Sequence, residues 1–254
     1  MTESVSFWQS ESALKYEDFS IAIPSDIPAY KVVYDLLNPA GKSILDFGCF
    51  QGKSSQRLLQ EGASKVLGVD SVENNIVVAR KSNLANKNLG FLYVDENSIL
   101  SVDERFDATC MTFVHPTIAS LDKFKFQIKK IYDVMKANGI LVLLGLHPNS
   151  FENYEFLFYG HQLLAEARDG APFANELKLL NGETLKFTDY FWTTETLTRI
   201  LEENGFAVDQ IHGLQEDLKG RIGEVLRKSI GELNFPWKGE WKAPLYQVIV
   251  GRKI

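Results

Sequence analysis

From Lys42 onward the chain alternates apolar runs of strand length with stretches of helical period, and this alternation restricts the fold more than any other feature. Strands joined by crossover helices lie parallel, and a parallel sheet buries both faces under helices. The region therefore reads as doubly wound α/β. SILDF (43–47) is the first strand, a helix covers Lys53 to Gln60, and KVLGVD (65–70) is the second strand. A helix over Asn75 to Asn86 leads to strand GFLYV (90–94), and FDATCMTF (106–113) follows. Leu121, Phe124, Ile128, Ile131 and Met135 recur at helical spacing, Asn138-Gly139 closes that helix, and ILVLLGL (140–146) is the next strand.

The alternation stops at His147-Pro148. An aromatic-rich insertion follows, with Tyr154, Phe156, Phe158, Tyr159, Phe173 and Phe187, and it is expected to be a helical lid. Helix Thr194 to Glu203, strand FAVDQI (206–211), an amphipathic helix around Leu218 to Leu233 and strand LYQVIVG (245–251) complete the pattern. The expected divisions are an amino-terminal helical cap (1–41), a Rossmann-like core (42–150), the lid (151–192) and the rest of the core sheet (193–254). The cap, with Trp8, Tyr16, Phe19 and Tyr30, is expected to lie over the carboxyl edge of the sheet.

A length of 254 residues, 45% of them hydrophobic, suits one large α/β domain and excludes disorder. A net charge of -6 supplies no general field for phosphate backbones or anionic lipid, so neither nucleic acid nor membrane is expected as a partner. Cys49 and Cys110 make no disulfide framework and sit in no metal-binding pattern, and no two histidines stand at ligand spacing. No metal is expected. The first fifteen residues lack the apolar stretch of a signal peptide, and the run Ile140 to Leu146 is far shorter than the ~20 residues that span a bilayer. A cytoplasmic protein is expected, as a monomer or homodimer.

In LDFGCFQGKSS (45–55) a strand ending near Asp46 turns through Gly48 and Gly52 into a helix. The carboxyl end of the first strand is where an open α/β sheet holds its ligand. Asp70, 24 residues after Asp46, ends the second strand, where an acid can accept hydrogen bonds from ribose hydroxyls, and Asp95 closes the third strand. Three acids at three successive strand ends indicate a nucleotide-like ligand rather than three unrelated helix caps.

With these residues the chain resembles the class I S-adenosylmethionine-dependent methyltransferases, in detail over about residues 30–150 and by element order over 195–254. The resemblance implies a seven-stranded, mostly parallel sheet whose last strand, LYQVIVG, is antiparallel, with S-adenosylmethionine as cofactor. It implies that Asp46, Gly48 and Gly52 bound the loop around the methionine part and that Asp70 takes the ribose hydroxyls. Ser71 and Val72 would flank the adenine, Asp95 and Glu96 would face its amino group, and Phe113 would lie beneath the cofactor. One position departs: Phe50 stands where the family's loop has its middle glycine. A Phe there either turns its ring out of the pocket or reshapes the methionine subsite.

GCFQGKS (48–54) misses the P-loop pattern by one residue between its glycines, so a P-loop-like nucleotide-binding protein is a lesser alternative, as is a non-catalytic adenosyl-binding module of the same fold. Phe113-Val114-His115-Pro116 lacks the Asp/Asn-Pro-Pro-Tyr/Phe turn that marks base-amine methyltransferases, and no cysteine follows a proline. Lys123, Lys125, Lys129 and Lys130 read as a solvated helix face. The expected acceptor is a small molecule methylated on oxygen or nitrogen. His115, and after it His147, follow strands four and five and are the expected proton acceptors, because an imidazole near pKa 6.5 can take a proton from the nucleophile.

Overall fold

The computed structural model describes residues 23–152, 155–180 and 182–254. Trp8, Tyr16, Phe19 and Tyr154, and what was expected of them, lie outside the described residues.

Seven strands form the main sheet: β1 (Ser43–Phe47), β2 (Lys65–Asp70), β3 (Leu89–Tyr93), β4 (Phe106–Thr112), β5 (Met135–Leu146), β9 (Phe206–Leu214) and β10 (Tyr246–Lys253), in the order β3-β2-β1-β4-β5-β10-β9. β1 to β5 pair in parallel, and β10 runs antiparallel between β5 and β9. The last strand of the chain is thus the reversed one and sits inside the sheet, with β9 at the edge.

Period-two alternation assigns the two faces. Ile44, Val66, Ala108, Val142 and Leu144 pack with α1 (Asp26–Leu37), α2 (Lys53–Gln60), α3 (Glu73–Ser82) and α6 (Gly220–Leu233). Their neighbours Leu45, Val69, Met111, Leu141 and Leu143 pack under α4 (Leu121–Val134) and α5 (Thr194–Glu203), through Phe124, Ile128, Leu197 and Ile200. Every central strand is therefore apolar on both sides, which is why the sequence showed continuous apolar runs. Asn138-Gly139 does not close α4. That helix ends at Val134, and Asn138, at φ 61, lies within the first part of β5 where its register against β4 shifts.

The insertion is not helical. It forms a three-stranded antiparallel sheet of β6 (Tyr159–Leu163), β7 (Pro172–Lys178) and β8 (Thr184–Tyr190). The reason is alternation: Phe173, Asn175 and Leu177 are buried while the residues between them are not, and Leu185 and Asp189 are buried on β8. A period of two seats side chains on one face of a strand, and a helix would scatter them.

β1 and β4 are neighbours, but the chain moves outward from β1 through β2 to β3 before crossing back to β4. This reversal opens a crevice at the carboxyl ends of the strands, where open α/β sheets bind ligands.

Candidate active site

A cavity of about 360 Å³ occupies that crevice, within the range of small-molecule sites. Gly48 and Phe50 line it from the β1 loop, Asp70, Ser71 and Val72 from the end of β2, Val94 and Glu96 from beyond β3, and Phe113 from the end of β4. Seven of the predicted site residues thus meet in one space.

The β1 loop is held from within. Gly48 and Cys49 both donate their N–H groups to the carbonyl of Val69, at 2.8 and 2.9 Å, and Phe50 donates its own to Asp70 Oδ2 at 2.9 Å. With these amides spent, the loop cannot form the arc of free N–H groups that a P-loop wraps around a phosphate. Phe50 takes a left-handed φ of 50, which glycine would adopt without strain. Gly48, at φ 79, is needed for a second reason: a Cβ there would run into Val114. Gly52 caps α2 at φ 87, and a Cβ would collide with Phe91, so it shapes the loop without lining the cavity.

Asp46 lies beneath the loop, fully buried and away from the cavity wall. Its Oδ2 accepts hydrogen bonds from Ser54 and, at 2.6 Å, from Ser55, and the Cys110 thiol donates to Oδ1 at 3.4 Å. Burial raises its pKa, and the hydrogen bonds oppose the shift. The carboxylate therefore ties β1 to the first turn of α2.

Asp70 is the acid that reaches the cavity. Besides Phe50, it accepts from Val72 N–H at 2.8 Å and from Asn75 Nδ2 at 3.4 Å, both on Oδ1. Burial raises its pKa, against those bonds. A carboxylate offers about four lone-pair sites, so capacity remains for a ligand hydroxyl.

Beyond β3 the two adjacent acids separate. Asp95 is exposed and accepts the N–H of Asn97 at 2.9 Å, whereas Glu96 lines the cavity and pairs with Lys123 at 3.0 Å. Lys130 is buried to 3% exposure, and its ammonium donates to the carbonyls of Glu96 at 2.8 Å and Asp95 at 3.2 Å. Burial lowers its pKa to about 8. The lysines of α4 are therefore not one solvated face: Lys123, Gln127 and Lys130 fix the loop after β3 and line the cavity, while Lys125 and Lys129 pair with Glu203 and Asp133. The spacing 123, 127, 130 is a helical stripe that could have been noticed.

The histidines are placed elsewhere. His115 is 3% exposed, stacks on Phe124 at 6.0 Å between ring centroids and presses against Gly145, where a Cβ would strike its ring. It does not line the cavity, its Nδ1 has no hydrogen-bond partner among the described residues, and burial lowers its pKa to about 3. That is the environment of a packing residue, not of a base that meets substrate. His147 accepts the N–H of Asn149 on Nδ1 at 3.1 Å, capping a short turn (Pro148–Phe151), and also lies off the cavity. Alternation placed both beside the strand ends, but it could not say that the His115 ring packs on Phe124 or that the His147 ring caps its own turn.

Residues 44–139 match the family model for a methyltransferase domain. The matched segment carries the residues that line the cavity from the ends of β1, β2, β3 and β4. Among curated proteins, the chain is 30% identical over 114 residues to the mitochondrial ubiquinone biosynthesis O-methyltransferase of Dictyostelium discoideum, covering 41% of this chain and 35% of that one. It is 23% identical to the N-demethylindolmycin N-methyltransferase of Streptomyces griseus, covering 78% and 86%. The chain thus spans about a third of the length of the first of these relatives. The same fold appears in a solved S-adenosylmethionine-dependent methyltransferase from Clostridium acetobutylicum, at a TM-score of 0.65 with 10% identity over 96% of this chain and 99% of that one. Among the described residues no helix is long and apolar enough to cross a membrane.

α1 supplies a further wall, over the carboxyl ends of the strands as expected for Tyr30. Tyr30 and Tyr34 line the cavity from it, and the Tyr30 ring meets Phe113 edge-on at 6.1 Å. The Tyr30 hydroxyl is bonded to Thr112, and burial drives its pKa far above the usual phenol range. Lys31, Lys53 and Arg57 stand around the same end of the cavity.

Proposed function

We propose that the protein transfers a methyl group from S-adenosylmethionine to an oxygen or nitrogen of a small molecule. The observation that carries this reading is Asp70: a buried carboxylate at the end of β2, preset by two backbone N–H groups and lining the cavity at the reversal of strand order. The cavity, at about 360 Å³, is of a size that holds a small molecule, and Gly48 lets the β1 loop pass close against Val114 in its wall. It fits the cofactor in chemistry because hydroxyl acceptors, apolar walls and cations lie in one space. Asp70 would hold the ribose, Ser71 and Val72 the adenine with Glu96 at its edge, and Lys53 and Arg57 the methionine carboxylate.

When bound, S-adenosylmethionine supplies a methyl carbon already activated by a sulfonium charge. The chain's own task is then alignment and exclusion of water. Phe113, Tyr30 and Val114 provide an apolar wall for it. His115, buried and neutral, is left out of proton transfer, so an acceptor enters unprotonated or loses its proton to solvent. The buried thiols Cys49 and Cys110 suit a reducing compartment, and the cytoplasm belongs to the same reading.

Calorimetric titration with S-adenosylhomocysteine and with ATP tests the proposal. Binding of S-adenosylhomocysteine that weakens in Asp70→Ala supports it. Tighter binding of ATP overturns it, and adenosyl binding without transfer to any member of an amine and phenol panel reduces the protein to a non-catalytic relative.

A further inference from the structure

Phe113 is shared by the linings of two cavities, the large one and a second of about 20 Å³ behind it. The second reaches the inner face of the small sheet at Tyr159, Asn175 and Asp189. A water needs ~10–15 Å³ measured in this way, so the space takes one small polar group and no ring.

The polar atoms around this space are unequally satisfied. Asn175 is 5% exposed, and its Nδ2 donates to Asp189 Oδ2 at 3.3 Å, which fixes the amide's orientation. Its Oδ1 then has no hydrogen-bond partner among the described residues. One layer deeper, Tyr159 and Tyr246 both donate their hydroxyls to Asp26 Oδ1, at 2.9 and 2.7 Å, and the buried Asp26 Oδ2 is also without a partner among the described residues. Asn175 Oδ1 is an acceptor, and Asp26 Oδ2 is one when its carboxyl is ionised. Leaving a buried acceptor unmet costs about 1–3 kcal/mol, so the missing component is a donor. Two carboxyl groups nearby favour a donor that carries positive charge. Phe113 and Tyr159, which line this space, are joined through the Tyr246 ring at 5.7 and 5.9 Å between centroids, so its aromatic wall is continuous.

We propose that the small cavity is an ammonium subsite, which takes an amine of the methyl acceptor while the rest of that molecule lies in the large cavity. The substrates are then small amines, not acids or neutral phenols. Asn175 Oδ1 accepts directly from the amine, and Asp26 acts through Tyr159 as a positioning residue. The naming of the ligand as methyl acceptor rests on the methyltransferase reading, but the existence of the subsite does not.

The test is calorimetry with phenethylamine, 2-phenylethanol and 3-phenylpropionate, each with and without S-adenosylhomocysteine. Wild type is expected to bind the amine at least tenfold more tightly than the other two. Asn175→Leu, similar in volume but without the acceptor, abolishes the preference, and Asn175→Asp retains or strengthens it. If the three probes bind alike, if none binds, or if the preference survives in Asn175→Leu, the cavity is a packing void or a water site and the proposal falls. Amine preference without any binding of S-adenosylhomocysteine keeps the subsite and removes the methyltransferase reading, whereas the reverse pattern removes only the subsite.

Discussion

At the β1–β2 end of the crevice most of the donors to each carboxylate lie within 20 residues of it: Ser54 and Ser55 for Asp46, beside the distant Cys110 thiol, and Phe50, Val72 and Asn75 for Asp70. At the α1–β10 end, Asp26 finds its donors in Tyr159, 133 residues away, and Tyr246, 220 residues away, and one of its oxygens finds none among the described residues. The first end is preset for a ligand of fixed shape. The second holds buried polar groups at a cost in stability, the usual signature of a site whose complement arrives with the substrate.

The comparison is broken most easily by pH. Burial pushes the Asp26 pKa up to about 7, while the two phenol hydrogen bonds pull the other way. The unfolded chain loses the same proton near its ordinary value of 3.8, so between about pH 4 and 7 the folded state holds a proton that the unfolded state has released. The stability this contributes is complete below about pH 4 and is lost as pH rises through 7, at about tenfold in the folding equilibrium per pH unit. Denaturant titrations at pH 5 and pH 8 should show wild type losing stability relative to Asp26→Asn. Equal losses in both proteins would mean that the acceptor end carries no such strain.

His115→Ala has the next largest effect, on folding and not on chemistry. It removes a buried ring stacked on Phe124, and a cavity of that kind costs about 2–4 kcal/mol. S-adenosylhomocysteine affinity should persist, and the pH dependence of transfer should show no inflection that the substitution removes between pH 5 and 8, because the imidazole is already neutral there. A hundredfold fall in rate with stability unchanged would restore the histidine to the acceptor end as a base.

Asp70→Ala probes the preset end. Loss of the ribose hydrogen bonds should weaken S-adenosylhomocysteine by about 1–3 kcal/mol in calorimetry. The preference for phenethylamine over 2-phenylethanol, measured without cofactor, should be unaffected, because Asp70 does not line the small cavity that reads the amine. Parallel loss of both would show that the two ends are one cooperative unit.

The difference between the ends also explains what was legible in the sequence. Gly48, Asp70 and Glu96 sit at strand ends, and strand ends follow from local periodicity, so spacing alone brought them together. Tyr30 stands over the strand ends as expected, whereas Asp26 and Asn175 come to this end only through tertiary packing, and no local period marks them. The small sheet is hidden for a local reason: the polar Asn175 stands between Phe173 and Leu177 on its buried face, so the alternation of burial is not an alternation of hydropathy. His115 and His147 show the remaining gap, since position along the chain fixes where a residue stands but not which way its ring turns.

The smallest effect concerns Phe50, the one residue of the preset end that breaks the family pattern. Its φ of 50 costs a side chain about 1 kcal/mol or more that glycine avoids, but its N–H bond to Asp70 is a backbone bond that any residue can make. Phe50→Gly and Phe50→Ala therefore separate two contributions: both remove the ring from the cavity wall, and only glycine relieves the backbone. If strain alone distinguishes this loop, Phe50→Gly should exceed Phe50→Ala in stability by about 1 kcal/mol, with S-adenosylhomocysteine affinity equal to or better than wild type in both. If affinity instead falls tenfold in both, the ring is part of the binding wall, and the departure from glycine is a feature of how this protein holds its cofactor.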